Sequence, residues 1–311
     1  MPLAPNLARR RLEKGELALG FGVHHLRTPA VGMIAAAGGF DWLFIDMEHG
    51  AMSVDDATKM CMAALSQGVT PIVRCCKDAL FEGTRCLDNG AMGVVVPHID
   101  TKEEAEAVVR AFRYPPIGER SWGGPPAQYG FVVADTAAAQ VELNKEIFVC
   151  VMIETPEAVA NADAIAAVPG VDSLMIGTSD LTASMGIAGQ IGHPDVRAAY
   201  AKVAAACKAH GKHMGMGGVY DEKVAPDYIA LGARFLLSGS DHAFLMAAGG
   251  ARAKFGPACR YMRGHCNWTC ERVASAIRRR HQPRGPRCSV ATCLPWPSLP
   301  HLPPLRPRRR K

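Results

Sequence analysis

Eight short apolar runs punctuate the first 255 positions, and between them apolar residues recur at three- and four-residue spacing. The runs are LALGFGV (17–23), DWLFIDM (41–47), TPIVRC (70–75), MGVVVP (92–97), IFVCVMIE (147–154), SLMIG (173–177), HMGMG (213–217) and RFLLSG (234–239). Their length and β-branched content predict strands, whereas TKEEAEAVVRAF (101–112) and HPDVRAAYAKVAAACKAHG (193–211) carry the helical period. Ser53, Thr101 and the pair Thr155-Pro156 are helix-start signals. Gly68, Gly90, Gly170, Gly211 and Gly232 stand where helices close and the next strand begins. Eight strands each followed by a helix predict an α/β protein with a (β/α)8 TIM barrel over residues 1–255. A doubly wound open sheet is the competing architecture. It calls for a phosphate-cradling glycine loop after the first strand, and GFGVHHLRT contains no GxGxxG. One excursion, 113–146, is too long for a plain link, and such loops are often functional.

In a (β/α)8 barrel the C-terminal ends of the strands converge on one face, so the residues at those ends are the candidates for chemistry. Strand two delivers Asp46, Glu48 and His49, strand three Arg74, strand five Glu154, and strand six Ser179 and Asp180. Two carboxylates, a histidine and an arginine facing one mouth are the makings of a metal-assisted site, because hard cations such as Mg2+ or Mn2+ take one or two carboxylates. Each residue also has a plainer role. Glu154 and Asp180 can serve as first-turn acids at helix N-termini, and His49 can be a structural loop residue. Arg74 needs an anion, either a buried carboxylate or a charged substrate. Asp88, at a helix end in RCLDNGA, needs a cationic partner there.

Charge divides the chain. Residues 1–255 hold 22 Lys and Arg against 28 Asp and Glu, while 256–311 hold 13 basic residues against the single acid Glu271, so the net +6 comes wholly from the tail. That tail, rich in Arg and Pro, has no period and is expected to be disordered. Three origins remain open for it: a basic arm for nucleic acid or lipid, a terminal extension of another role, or a frameshift-derived translation of GC-rich DNA. Of the 11 cysteines six lie in the body and five in the tail, an odd total that argues against a disulfide framework. Cys259, Cys266 and Cys270 with His265 fit no paired CxxC zinc spacing. No apolar run approaches the roughly 18–20 residues that span a bilayer, and nothing at the start reads as a secretion signal. A cytoplasmic protein is expected.

The stretches FDWLFIDMEHG, PIVRC, LDNGAMGVVVPHI, RYPPIGERSWG, MIETPEAVAN and GVDSLMIGTSDLTASMG, in this order, resemble the HpcH/HpaI family of metal-dependent pyruvate aldolases, over residues 15–255. The resemblance implies a (β/α)8 barrel and reversible cleavage of a 4-hydroxy-2-oxo acid to pyruvate, or a similar 2-oxo acid, and an aldehyde. It makes Glu154 and Asp180 the ligands of a divalent cation (Mg2+, Mn2+ or Co2+), His49 the base, and Asp88 the partner that orients it. It gives Arg74 the 2-oxo group and the enolate, and the backbone around Ser179 and Asp180 the substrate carboxylate. It also implies a hexamer in which terminal helices exchange. The chain departs from the pattern at Met152, where some members carry glutamine, and at Thr178, Ser179 and Thr182, where many read GPxDLS. The other aldolase strategy, a Schiff base, needs a lysine at the mouth; Lys145 and Lys212 precede strands, and only Lys77 follows one. Two rival functions are a carbon–carbon lyase acting on a CoA thioester and a nucleic-acid-binding protein that uses the tail. The first would want more basic groups at the mouth for nucleotide phosphates.

Overall fold

A computed structural model describes residues 2–255. Eight parallel strands close on themselves in chain order: β1 (Ala18–Val23), β2 (Trp42–Asp46), β3 (Thr70–Arg74), β4 (Gly93–Val96), β5 (Phe148–Ile153), β6 (Ser173–Gly177), β7 (His213–Gly217) and β8 (Ala233–Ser240). Helices follow the strands around the outside, so the architecture is a (β/α)8 barrel. Every strand end lies within one residue of the sequence expectation. The five closing glycines all adopt left-handed φ, from 64° at Gly211 to 121° at Gly232, where a side chain would be strained. Ser53 and Thr101 form capping boxes with Asp56 and Glu104, and Thr155 accepts the Ala158 N–H. The expectations for residues 256–311 (a disordered basic tail, its possible origins, and the cysteine–histidine group) lie outside the described residues.

The alternation of side chains along each strand sorts two cores. Outward-facing Leu43, Ile45, Val73, Val94, Val149, Val151, Leu174 and Ile176 meet the helices. Inward-facing Trp42, Phe44, Ile72, Val95, Phe148, Cys150, Met152, Met175, Phe235 and Leu237 fill the barrel. Trp42 and Phe235 stack with ring centroids 4.0 Å apart. Gly20 on the neighbouring strand leaves the space this requires, since a Cβ there would overlap the Trp42 ring.

Two helices went unread in the sequence. The first, Leu7–Glu13, closes the N-terminal end of the barrel with Ala8 and Leu12. Asn6, its cap, donates to the carbonyls of Met92 (3.1 Å) and Glu146 (2.9 Å), and the Ala8 N–H donates to Thr70 Oγ1 (3.0 Å). The second, Thr136–Glu146, belongs to the long excursion. The excursion is anchored by buried Arg113, which donates to the carbonyls of Gly170, Asn144 and Ile147 and pairs with Asp172. One end of the barrel is thereby plugged, and the strand C-termini are left as the open face. Among the described residues no helix is long and apolar enough to cross a membrane.

Candidate active site

The inward alternation that stacks Trp42 and Phe44 places Asp46 next in line, directly above the apolar layers; Ile72 leads to Arg74 and Met152 to Glu154 in the same way. Asp46 and Arg74 are paired in register across β2 and β3. The guanidinium grips Asp46 through Nε (2.9 Å) and Nη2 (2.6 Å), while Nη1 faces Glu48 Oε2 at 2.8 Å. Arg74 also lies over the Phe44 ring, 5.0 Å from its centroid. Asp46 accepts further from His24 Nε2 (3.0 Å) and from the N–H groups of Glu48 (3.0 Å) and His49 (3.2 Å). Burial opposes its ionisation, but the hydrogen bonds from His24 and Arg74 and the guanidinium charge outweigh this and hold its carboxyl well below the usual range. Arg74 therefore has its buried carboxylate partner, and its position is set by two acids.

Glu154 stands on the other side of the mouth with 2% exposure. Its Oε2 accepts the His98 N–H (2.8 Å) and lies 3.1 Å from His98 Nδ1; the opposite nitrogen of that ring is 3.1 Å from Glu48 Oε1. Its Oε1 is buried and has no hydrogen-bond partner. Burial first, then the charges of Asp180 and Glu48, raise the Glu154 carboxyl above its ordinary value against the pull of His98. Gly177, the last residue of β6, makes room for this carboxylate: a Cβ there would overlap Oε1 and stand 2.8 Å from Cγ. Asp180 lies exposed in the first turn of the helix Thr178–Ser184. A buried carboxylate oxygen without a donor, with a second carboxylate at the same mouth, has the donor chemistry that a divalent cation takes.

His24, His49, Arg74, Ser179, Asp180 and Tyr220 border a cavity of about 270 Å3, with Met152 and Gly177 in its wall. The structure thus brings together His49, Arg74, Ser179 and Asp180, with Glu154 beside Gly177. Asp88 is not part of the group. It sits on Arg120 Nη2 (2.7 Å), the cation its helix-end position demanded, and it forms no hydrogen bond or ion pair with His49 within one copy of the chain. The His49 side chain is 63% exposed, and its nearest acid is Glu48, 3.9 Å away. The departures from the motif have structural consequences. Thr178 turns its hydroxyl to Tyr200 (2.7 Å), and Thr182 donates to the Ser179 carbonyl (2.9 Å). Lys77 is held by Glu104 (2.5 Å) and the His98 carbonyl (2.9 Å) and does not border the cavity. Sequence reasoning missed His24 and His98. Both follow a strand end as closely as His49 does, so the same rule applied to β1 and β4 finds them.

Residues 24–248 match the family described as HpcH/HpaI aldolase/citrate lyase. The chain is 39% identical over 242 residues to the 4-hydroxy-4-methyl-2-oxoglutarate aldolase tasA of Hapsidospora irregularis, covering 76% of this chain and 89% of that one. It is 35% identical over 246 residues to the hydroxypyruvate/pyruvate aldolase of Pseudomonas aeruginosa, covering 79% and 91%. Among solved structures, the HpcH/HpaI aldolase of Desulfitobacterium hafniense DCB-2 superposes with a TM-score of 0.74 at 31% identity, covering 79% of this chain and 95% of that one.

Proposed function

The chain belongs to the HpcH/HpaI aldolase/citrate lyase family, and from that premise we propose how its own residues carry out the family's chemistry. It is a metal-dependent aldolase, a carbon–carbon lyase that reversibly cleaves a 4-hydroxy-2-oxo acid to pyruvate, or a similar 2-oxo acid, and an aldehyde. The observation that carries the assignment of residues is the Glu154 carboxylate, buried with one oxygen unpartnered beside Gly177 and sharing the mouth with Asp180.

Glu154 and Asp180 would hold a divalent cation, Mg2+, Mn2+ or Co2+, which when bound supplies Lewis-acid stabilisation of the charge that develops on the 2-oxo oxygen. Arg74, fixed by Asp46 and Glu48, donates to the same oxygen. Because its orientation is set before substrate arrives, little reorganisation is needed during reaction. The N–H groups of Thr178, Ser179 and Asp180 open a helix and have no partner inside it; they receive the substrate carboxylate. His49 takes the proton of the C4 hydroxyl. As the electron pair of the O–H bond becomes the second bond of the aldehyde carbonyl, the C3–C4 bond breaks and its pair passes through C3 to the 2-oxo oxygen as the enolate, which takes a proton at C3 from water to give pyruvate. In the reverse direction His49 returns the proton to the new hydroxyl. Asp88, held by Arg120, keeps its part as orienting partner only as something to be tested by substitution.

A homo-oligomer and a cytoplasmic setting belong to the same reading. The exposure of Leu245 (61%) and Met246 (75%) on the last described helix supports the first. The deciding experiment follows pyruvate release from a 4-hydroxy-2-oxo acid, with and without chelator. Activity should vanish with EDTA and return with Mg2+, Mn2+ or Co2+. Full activity in excess chelator, together with borohydride trapping of pyruvate on a lysine, would sink the assignment.

A further inference from the structure

We propose that His24, Asp241 and His242 form a second cation site, nitrogen-rich and of the class that takes Zn2+, beside the mouth of the barrel. The barrel's closure creates it. Gly22 of β1 is paired with Ser240 of β8, so the loops that leave these two strands start side by side although more than two hundred residues separate them in sequence. Asp241 fastens them together. Its Oδ2 accepts three successive N–H groups, from His24 (3.1 Å), His25 (2.8 Å) and Leu26 (2.7 Å), and its Oδ1 accepts the His242 N–H (2.7 Å).

Loop fastening accounts for the Asp241 carboxylate but leaves the His24 ring unexplained. Its Nε2 is 3.0 Å from Asp46 Oδ2. An ionised carboxylate only accepts, so Nε2 carries a proton, and in the neutral ring this fixes the tautomer whose Nδ1 presents a lone pair. That Nδ1 is buried and has no partner. Histidine metal ligands have this arrangement: one ring nitrogen donates to a carboxylate, which fixes the tautomer, and the other is left bare for the cation. The remaining ligands are in place. His242 Nδ1 lies 3.3 Å from Asp241 Oδ1, the rings of His24 and His242 meet edge to face at 5.2 Å, and one donor atom from each of the three residues lies within 4.8 Å of the other two.

Asp241 Oδ2 is spent on three N–H groups, but Oδ1 accepts only one and keeps a lone pair; that oxygen and two imidazole nitrogens are a Zn2+ set with one coordination position left open. They differ in kind from the oxygen-only pair Glu154 and Asp180, which suits a harder ion. The start of the helix Asp241–Phe255 presents positive dipole to the site, which weakens cation binding, and the buried charge of Asp241 opposes that effect. His242 is half-exposed, which gives an ion a path from solvent.

The test uses the full-length chain, stripped with chelator and dialysed into excess Mg2+, which fills the oxygen site. Zn2+ is then titrated in competition with a chromophoric chelator, and wild type, His242→Ala, His24→Gln and Glu154→Gln are compared. The five cysteines of residues 256–311 are common to all four chains and cancel in the differences. The glutamine at position 24 can still donate to Asp46 while removing the bare ring nitrogen, which separates lost ligation from lost folding. His242→Ala and His24→Gln should each lose one Zn2+ equivalent, or bind it at least about tenfold more weakly, and Glu154→Gln should retain it. Co2+ in that equivalent should show the visible absorption of nitrogen-ligated, low-coordinate cobalt. Unchanged Zn2+ stoichiometry and affinity in both histidine variants would overturn the proposal, and so would loss of the same equivalent in Glu154→Gln.

Discussion

Replacing Gly177 by alanine isolates the carboxylate that the proposed chemistry depends on. The residue has φ −84°, which alanine adopts without strain, so the effect is purely steric. The new methyl would overlap Glu154 Oε1 and stand 2.8 Å from Cγ and 2.9 Å from Met152 Cε, against about 3.5–4.0 Å for a relaxed carbon contact. The carboxylate must therefore withdraw by roughly 1 Å, far outside the ±0.2 Å that metal–ligand distances tolerate. Overpacking of this kind costs about 1–3 kcal/mol. If that cost falls on the metal-bound state alone, divalent-cation affinity drops about 5- to 150-fold. Calorimetric titration of the chelator-stripped chain with Mn2+ measures this directly, and activity should recover as the metal concentration is raised. Gly217→Ala is the control, because its methyl would meet only Ile176 O and Met175 Sδ, both at 3.6 Å, and should leave affinity unchanged. Wild-type Mn2+ affinity in Gly177→Ala would refute the placement of the cation at Glu154.

His49→Ala should lower kcat about 10²- to 10⁴-fold while leaving Mn2+ affinity unchanged, and Asp88→Asn should give a smaller loss in the same direction; steady-state kinetics beside metal titration separate a base from a structural loop residue. Asp46→Asn removes a carboxylate whose folded-state pKa lies below its unfolded value of about 3.9, so the stability it contributes is complete above that pH and is lost as pH falls through the folded value. Urea midpoints between about pH 2 and 5 should therefore fall less steeply in the variant than in wild type, while at neutral pH Arg74 keeps only Glu48 and the loss stays below the about 3–5 kcal/mol of a fully broken buried pair; parallel pH curves would disprove the depressed pKa. A chain ending at Phe255 should keep the activity and the subunit number of the full chain, and a folded but inactive truncation would assign a function to residues 256–311.

The strands were legible because each is a short apolar run, and five of them (β3, β4, β6, β7 and β8) are set off from the preceding helix by a glycine in left-handed φ. The helix Leu7–Glu13 was not legible: LARRRLE buries only Ala8 and Leu12, too few apolar positions to register as a period. Thr136–Glu146 was hidden similarly, with Ala139 and Leu143 its only buried residues. Within the site, Arg74, Glu154 and Asp180 could be read from the strand-end rule, but the partner of Arg74 could not. The Asp46–Arg74 pair depends on register between β2 and β3, and the hold of Asp241 on the His24 loop depends on closure between β1 and β8. Neither is a property of any local stretch. The cation that Asp88 takes was hidden for a related reason: Arg120 comes from the long excursion, 32 residues further on.

The division of labour between the two buried acids follows from counting their hydrogen bonds. Asp46 and Glu154 both crown apolar stacks at strand ends, and burial raises the cost of charge on each. Asp46 receives three side-chain contacts from Arg74 and His24 and two backbone N–H groups, and its lone pairs are spent. Glu154 receives the His98 N–H and ring on one oxygen and nothing on the other. The first carboxylate is stabilised as an anion within the protein, and its pKa falls. The second is left under-compensated, and its pKa rises. An anion already satisfied gains little from a cation, whereas one held dry with a bare oxygen gains a great deal. Glu154 is therefore the acid suited to ligate metal, and Asp46 the acid suited to hold Arg74 in place.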